Sequence, residues 1–259
     1  MMSFFIFFGF NLIFFMNYLI IAKKYNIFDY PDNVRKSHKN PTPLLGGLLI
    51  FLNVILYVFQ YFFFATKEHL IFTNDELIIF FTASTFFYFL GYFDDKYNLK
   101  PNYKLFFTSI LVILIMYFDE NLILKNIKFT FSNYQLNLGY FDNFFTVLCF
   151  LLFINAFNML DGINGQASIE LYFLLIPLMF FLVFNLKGKM FLGDSGTILI
   201  GFIFSYFFIK THNSFELFFS DEIFLIMMIP GFELLRLAIS RIIKKKHPFE
   251  PDNNHIHHN

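Results

Sequence analysis

The chain of 259 residues has no tryptophan, one cysteine, and equal numbers of basic and acidic residues, 19 of each, for a formal net charge of zero. Cys149 has no intrachain partner, which excludes a disulfide framework. The missing tryptophan goes with 46 phenylalanines, a bias that fits an AT-rich coding sequence and carries no functional signal. Zero net charge says little by itself, because the charges are sorted among the connections; no nucleic-acid partner is expected. Charge is scarce at 15%, against 57% hydrophobic residues and a mean hydropathy of +0.59. An ordinary soluble domain has no use for that much apolar surface.

What is present is a series of apolar runs. They lie near residues 3–22, 45–65, 77–93, 104–118, 143–160, 168–186, 197–219 and 223–240, and most approach the roughly 20 residues that carry a helix across a bilayer. The runs are continuous, whereas a lipid-exposed barrel strand alternates. The expected fold is therefore all-α, a polytopic transmembrane helical bundle of about eight apolar segments in a single domain over residues 1–259. No basic residue precedes the first run and Lys23 and Lys24 follow it directly. This reverses the pattern of a cleavable signal and predicts a retained first helix with its N-terminus outside. Basic residues recur at Arg35, Lys36, Lys39, Lys96, Lys100, Lys104, Arg241 and Lys244 to Lys246, whereas 67–76 and 210–222 are mixed or acidic. The positive-inside rule places the first set in the cytoplasm. The alternating stretch Ile127 to Gly139 reads as a short extracytoplasmic hairpin.

Polar residues cluster at the cytoplasmic ends of the spans. In order they are Asp29 to Gly47 (DYPDNVRKSHKNPTPLLGG), Gly91 to Lys104 (GYFDDKYNLKPNYK), Asn155 to Ser168 (NAFNMLDGINGQAS), Phe191 to Thr197 (FLGDSGT) and Pro251 to His258 (PDNNHIHH). Carboxylates at membrane helix ends are costly and point to function. Asp94, Asp95, Asp161 and Asp194 are such groups, and their place at span ends rather than mid-span argues against a transporter. Asp94 and Asp95 are neighbours about 100° apart on a helix, so one should face an acceptor phosphate and the other a metal or a cation. Asn155, Asn158 and Asp161, three residues apart, share a helical face. Asp194 lies in a Gly-Asp-Ser-Gly turn opening a helix, where free N–H groups favour anions; an N-cap role is the alternative. His38, beside Lys36, belongs either to a basic lipid-phosphate loop or to a positive-inside anchor. His255, His257 and His258 form a diphosphate clamp, a soft-metal site or a surface cluster.

These five motifs in this order resemble the polyprenyl-phosphate N-acetylhexosamine-1-phosphate transferase family, glycosyltransferase family 4, over almost the whole chain. The resemblance implies transfer of a sugar 1-phosphate from a UDP-sugar to undecaprenyl phosphate with release of UMP, initiating a cell-envelope glycan. It implies a cytoplasmic active-site cleft in the inner membrane and a requirement for Mg²⁺, with Mn²⁺ as substitute; a homo-oligomer is compatible with it. Asp94, Asp95 and Asp161 are then catalytic, with Asp94 the better base for the lipid phosphate. Asp194 and Asn158 are metal ligands. Lys36, His38, Lys104, Asn155, Asn158, His255, His257 and His258 contact substrate.

Three departures from the family pattern bear on activity. Asn164 stands where a second Asp is usual, the chain stops soon after the histidines, and 29 residues separate Gly162 from Phe191 where two crossings are usual. A single crossing there would put Asp161 and Asp194 on opposite faces and leave an inactive descendant. A working enzyme requires residues 168–186 to form two half-depth limbs, with a bend near Pro177.

Overall fold

The computed structural model describes residues 2–31, 40–64, 73–159, 172–214 and 219–243. In hydrocarbon a helix satisfies its own N–H and C=O groups, so the apolar runs fold as helices. Among the described residues these are α1 (Met2–Tyr25), α2 (Gly46–Phe64), α3 (Asn74–Tyr97), α4 (Pro101–Phe118), α5 (Asp142–Met159), α6 (Tyr172–Asn185), α7 (Gly193–Ser214) and α8 (Ser220–Ile243). Each expected apolar segment overlaps one of them. Five stretches of the described residues are long and apolar enough to cross a membrane: α1, α2, α3, α4 and Gly139–Ala156, which includes most of α5. The shortfall from eight has physical reasons: α6 has 14 residues, and α7 and α8 carry charges within their length.

The chain divides into two compact units, residues 1–97 with 161–199, and residues 98–160 with 200–259. In the first, α2 packs on α3 and α6, and α6 packs on α1. Phe51 stacks on Tyr88 with centroids 4.3 Å apart, and Tyr57 stacks on Phe173 at 4.5 Å. Asn11 and Asn53, both fully buried, exchange amide hydrogen bonds of 2.8 and 3.2 Å between α1 and α2. Each also donates to the carbonyl one turn back in its own helix. Polar pairs of this kind hold membrane helices in register where no hydrophobic force distinguishes helix from lipid.

One end of this unit is sewn together by backbone. Strand β1 (Phe28–Asp29) pairs antiparallel with β2 (Thr42–Pro43). Phe191 N donates to Pro43 O, Gly46 N to Phe191 O and Gly47 N to Leu192 O. The ends of α1 and α6 and the starts of α2 and α7 therefore meet there, and α3 joins them through Asp95. Exposed Lys23, Lys24, Lys96, Lys187 and Lys189 belong to this end, whereas the opposite end of α3 opens on Asp75 and Glu76. Contrary to the expected bend, α6 continues helically through Pro177. A proline removes one hydrogen bond and crowds the preceding turn, and here the packing of α6 on α1 and α2 carries the helix past it. Its 14 residues span about 21 Å, less than the roughly 30 Å hydrocarbon core. Ser168 lies outside the described residues.

In the second unit α5 packs on α4 and α8. Asp119, just past α4, accepts from Tyr206 Oη at 2.9 Å and from Asn121 N at 3.1 Å. Lys210 Nζ lies 3.9 Å from its Oδ2, with both side chains 2% exposed. Read from sequence, Lys210 opens a connection; its buried acidic partner instead keeps it inside α7, which runs on to Ser214. Asn213 Nδ2 donates to the carbonyls of Asn121 and Ile123. The expected hairpin is present as β3 (Asn126–Phe129) and β4 (Ser132–Asn137), pairing Ile127 with Leu136 and Lys128 with Gln135. It is tied to α8 where the Thr130 amide and hydroxyl donate to the Asp221 carboxylate.

Two measurements check this description. On a Cys149→Ser background, Lys96→Cys and Lys187→Cys should react with a membrane-impermeant thiol reagent from one side and Asp75→Cys from the other. Labelling of Lys96→Cys and Lys187→Cys from opposite sides would contradict the shared end. The second concerns acid. The hydrogen bonds from the Thr130 hydroxyl and amide hold the Asp221 carboxyl below its usual range. A depressed value stabilises docking above the ordinary carboxylate pKa of about 4 and loses that contribution as pH falls through the folded value. Hydrogen exchange of the β3–β4 peptide, corrected for intrinsic rate, should rise in strong acid and should be pH-insensitive in Asp221→Asn.

Candidate active site

The carboxylates at the end of α3 are set by helical phase. The buried face of α3 runs through Phe80, Ala83, Ser84, Phe87, Tyr88 and Gly91 to Asp94, so Asp94, 6% exposed, continues the inward stripe. Asp95 points about a quarter-turn away, as its position requires. Its Oδ1 accepts from Asp194 N at 2.7 Å and its Oδ2 from Ser195 N at 3.0 Å. These are first-turn amides of α7, which have no partner within their own helix. A carboxylate also matches the positive end of the helix dipole. Asp95 therefore caps α7 from another helix.

This corrects one expectation: the Asp194 and Ser195 N–H groups are not free for a substrate anion, because Asp95 occupies them. Asp194 is half-buried, close enough to Asp95 for the two carboxylates to repel. Asp95 itself, expected to face an acceptor phosphate, a metal or a cation, meets backbone amides instead.

The approach depends on missing side chains. Gly193 has φ +74°, and a Cβ there would lie 2.8 Å from Asp95 Oδ2, so this position needs both the left-handed backbone and the empty space of glycine. A Cβ on Gly91 would lie 2.5 Å from Asp194 O and 2.7 Å from Ser195 N, and one on Gly47 would lie 2.5 Å from Gly196 N. Three backbones thus meet without intervening side chains, which close packing permits only to glycine. The tight backbone at Gly193 is legible in its motif, whereas the close approaches at Gly47 and Gly91 are not. The available signal was a glycine on the α3 stripe one turn before Asp94.

The remaining expected residues divide between two groups. In the second unit, Lys104 is half-buried in the first turn of α4. Asn155 donates to Leu151 O at 2.7 Å within α5, and Asn158 falls in the last turn of that helix. Lys36, His38, Asp161, Asn164, His255, His257 and His258 lie outside the described residues. The same unit holds an apolar cavity of about 660 Å³ between α5, α8, β3 and the end of α7, with Phe153, Phe208, Met227 and Leu235 in its walls.

A helical protein with several apolar spans, one of which ends in Asp94 and in an Asp95 seated on a Gly-Asp-Ser-Gly helix start, has the outline of a polytopic membrane protein with an acidic site at a span end. Residues 77–180 match the sequence profile of glycosyl transferase family 4. The chain is 30% identical to the undecaprenyl-phosphate alpha-N-acetylglucosaminyl 1-phosphate transferase of Thermotoga maritima, over 92% of this chain and 74% of that protein. Proteins of the same name from Escherichia coli O157:H7 and Yersinia pestis are 27% and 26% identical, covering 92% and 95% of this chain and 70% and 73% of their own. The chain belongs to glycosyl transferase family 4.

The junction makes a stability prediction. Gly91→Val overpacks a backbone contact and should cost about 1–3 kcal/mol or more, read as a fall in melting temperature in detergent. Gly9→Val, at a glycine with nothing within 4 Å of a built Cβ, is the control and should shift far less.

Proposed function

We propose that this protein transfers a sugar 1-phosphate, an N-acetylhexosamine 1-phosphate, from a UDP-sugar to undecaprenyl phosphate and releases UMP. The observation that carries the reading is the contact of Asp95 with the amides of Asp194 and Ser195, which seats the Asp94 helix end against the Asp194 turn. Since α6 ends where α7 begins and α3 ends, Asp194 stands at the Asp94 end of the first unit; Asp161, on which the objection from the shortened segment turns, lies outside the described residues. The five exposed lysines at that end favour the cytoplasmic side of the inner membrane by the charge rule.

The chemistry joins two anions. An oxygen of the lipid phosphate forms a bond to the sugar-linked phosphorus of the donor, and the bond from that phosphorus to the bridging oxygen breaks, leaving UMP. Asp94, buried at the helix end, takes the proton of the acceptor phosphate in a direct displacement; a covalent aspartyl route uses the same carboxylate as nucleophile. Mg²⁺ is commonly held by one or two carboxylates, with substrate phosphates and water completing its shell. Asp194 would hold the ion; the family resemblance implies Asn158 as a further ligand and Asp161 as a catalytic carboxylate. When bound, the ion would offset the charge of the diphosphate. The family resemblance adds Lys36, His38, Lys104, Asn155, Asn158, His255, His257 and His258 as substrate contacts.

The test is an assay of purified protein with undecaprenyl phosphate, Mg²⁺ and a panel of labelled UDP-sugars. Lipid-linked product and UMP should appear together. Asp194→Asn should lose most turnover at subsaturating Mg²⁺ with its melting temperature little changed, because Asp95 supplies the cap. No product with any UDP-sugar from a folded, monodisperse preparation would overturn the reading.

A further inference from the structure

We infer that Asp95 is a positioning residue, neither the base nor a metal ligand, and that it acts by fixing the first turn of α7 so that Asp194 keeps its aim. This rests on the proposed role of Asp194 as the metal-holding carboxylate. Both oxygens of Asp95 are engaged, Oδ1 by Asp194 N at 2.7 Å and Oδ2 by Ser195 N at 3.0 Å. Successive amides on a helix point about 100° apart, so gripping two of them fixes the rotation of α7 about its axis as well as its height. The amide that Oδ1 holds is that of Asp194 itself. The side chain of Asp194 therefore leaves a backbone anchored one bond away.

The surroundings exclude the simpler roles. Gly193 gives up its Cβ to the space taken by Asp95 Oδ2, 2.8 Å from where that Cβ would be. Gly91 brings α3 against Asp194 O and Ser195 N. A carboxylate buried in such a cradle and pointed at two donors cannot leave to collect a proton without freeing both amides. The same occupancy keeps a substrate phosphate off these two N–H groups. Asparagine cannot replace Asp95, because its amide nitrogen would present a donor to a donor.

The test uses full-length protein and Mn²⁺ alone, with binding read by electron paramagnetic resonance and the folded fraction by thermal unfolding. Asp95→Asn should bind Mn²⁺ about 10- to 100-fold more weakly, the usual effect of losing a partner behind a ligand. Its turnover should recover when metal is saturating. Gly193→Ala, which expels the Asp95 carboxylate without removing it, should weaken Mn²⁺ binding in the same way. Wild-type Mn²⁺ affinity in folded Asp95→Asn with turnover lost at saturating metal would make Asp95 a reacting group. Wild-type affinity with only a lower melting temperature would make it purely structural, and complete loss of binding would make it a ligand; each overturns the inference. Unchanged binding in Asp194→Asn would instead sink the metal assignment beneath it, while product formation in the assay would still stand.

Discussion

A single carboxylate closing the start of a helix organises the first unit. The amides at the start of α7 need acceptors, because no partner exists for them within their own helix. Asp95 answers that need from α3, and its charge is in turn made tolerable by the amides it meets. Everything nearby is arranged around this contact. Gly91, Gly47 and Gly193 let three backbones come close enough for it, and the hydrogen bonds from Gly46 and Gly47 to residues 191 and 192 hold the approach to α7. Asp94 and Asp194 acquire their places as neighbours of this contact.

The helices are legible in the sequence because hydrocarbon leaves the backbone few alternatives, and the hairpin is legible from alternation at Ile127 to Gly139. The acidic residues stand out in the sequence because charge at a span end demands a reason, and for Asp95 the structure supplies one in the two amides it caps. Pairwise geometry is less so. The partners of Asp95 lie 99 and 100 residues away, and local spacing says only that Asp94 and Asp95 diverge. The turn at Asp194 announces unpaired amides correctly, yet sequence cannot say whether a ligand or another helix fills them. Pro177 misleads for a related reason: a proline argues for a bend, but packing against α1 and α2 decides the outcome. Lys210 misleads in the other direction, since a lysine reads as the end of a span until Asp119 is seen beside it.

The second unit solves its polar problem differently. Asp119, Tyr206 and Lys210 form a buried group on α7 and the end of α4. Removing one member of such a pair typically costs 3–5 kcal/mol because a charge is left buried without its partner. With Asn213 bonded to residues 121 and 123, this group holds the end of α7 to the segment that leads into the hairpin. The apolar cavity opens beside that corner, with its α8 wall tied to the hairpin through Asp221 and Thr130 and its α5 wall tied through Thr146, which accepts from Leu124 N.

The first unit is discontinuous, made of residues 1–97 and 161–199, and this orders its assembly during synthesis. Asn11 and Asn53 can recognise one another as soon as α2 emerges, giving the α1–α2 hairpin its register early. α3 then arrives with Asp95 charged and without the amides that will receive it, and some sixty residues of the other unit must be translated before α6 and the start of α7 appear. Over that interval the carboxylate has water or lipid headgroups for company. The nascent chain therefore carries a half-built site that only the late arrival of Gly193 to Ser195 can close, and a ribosome stalled between residues 97 and 193 would leave in the membrane a helical bundle with no enzyme in it.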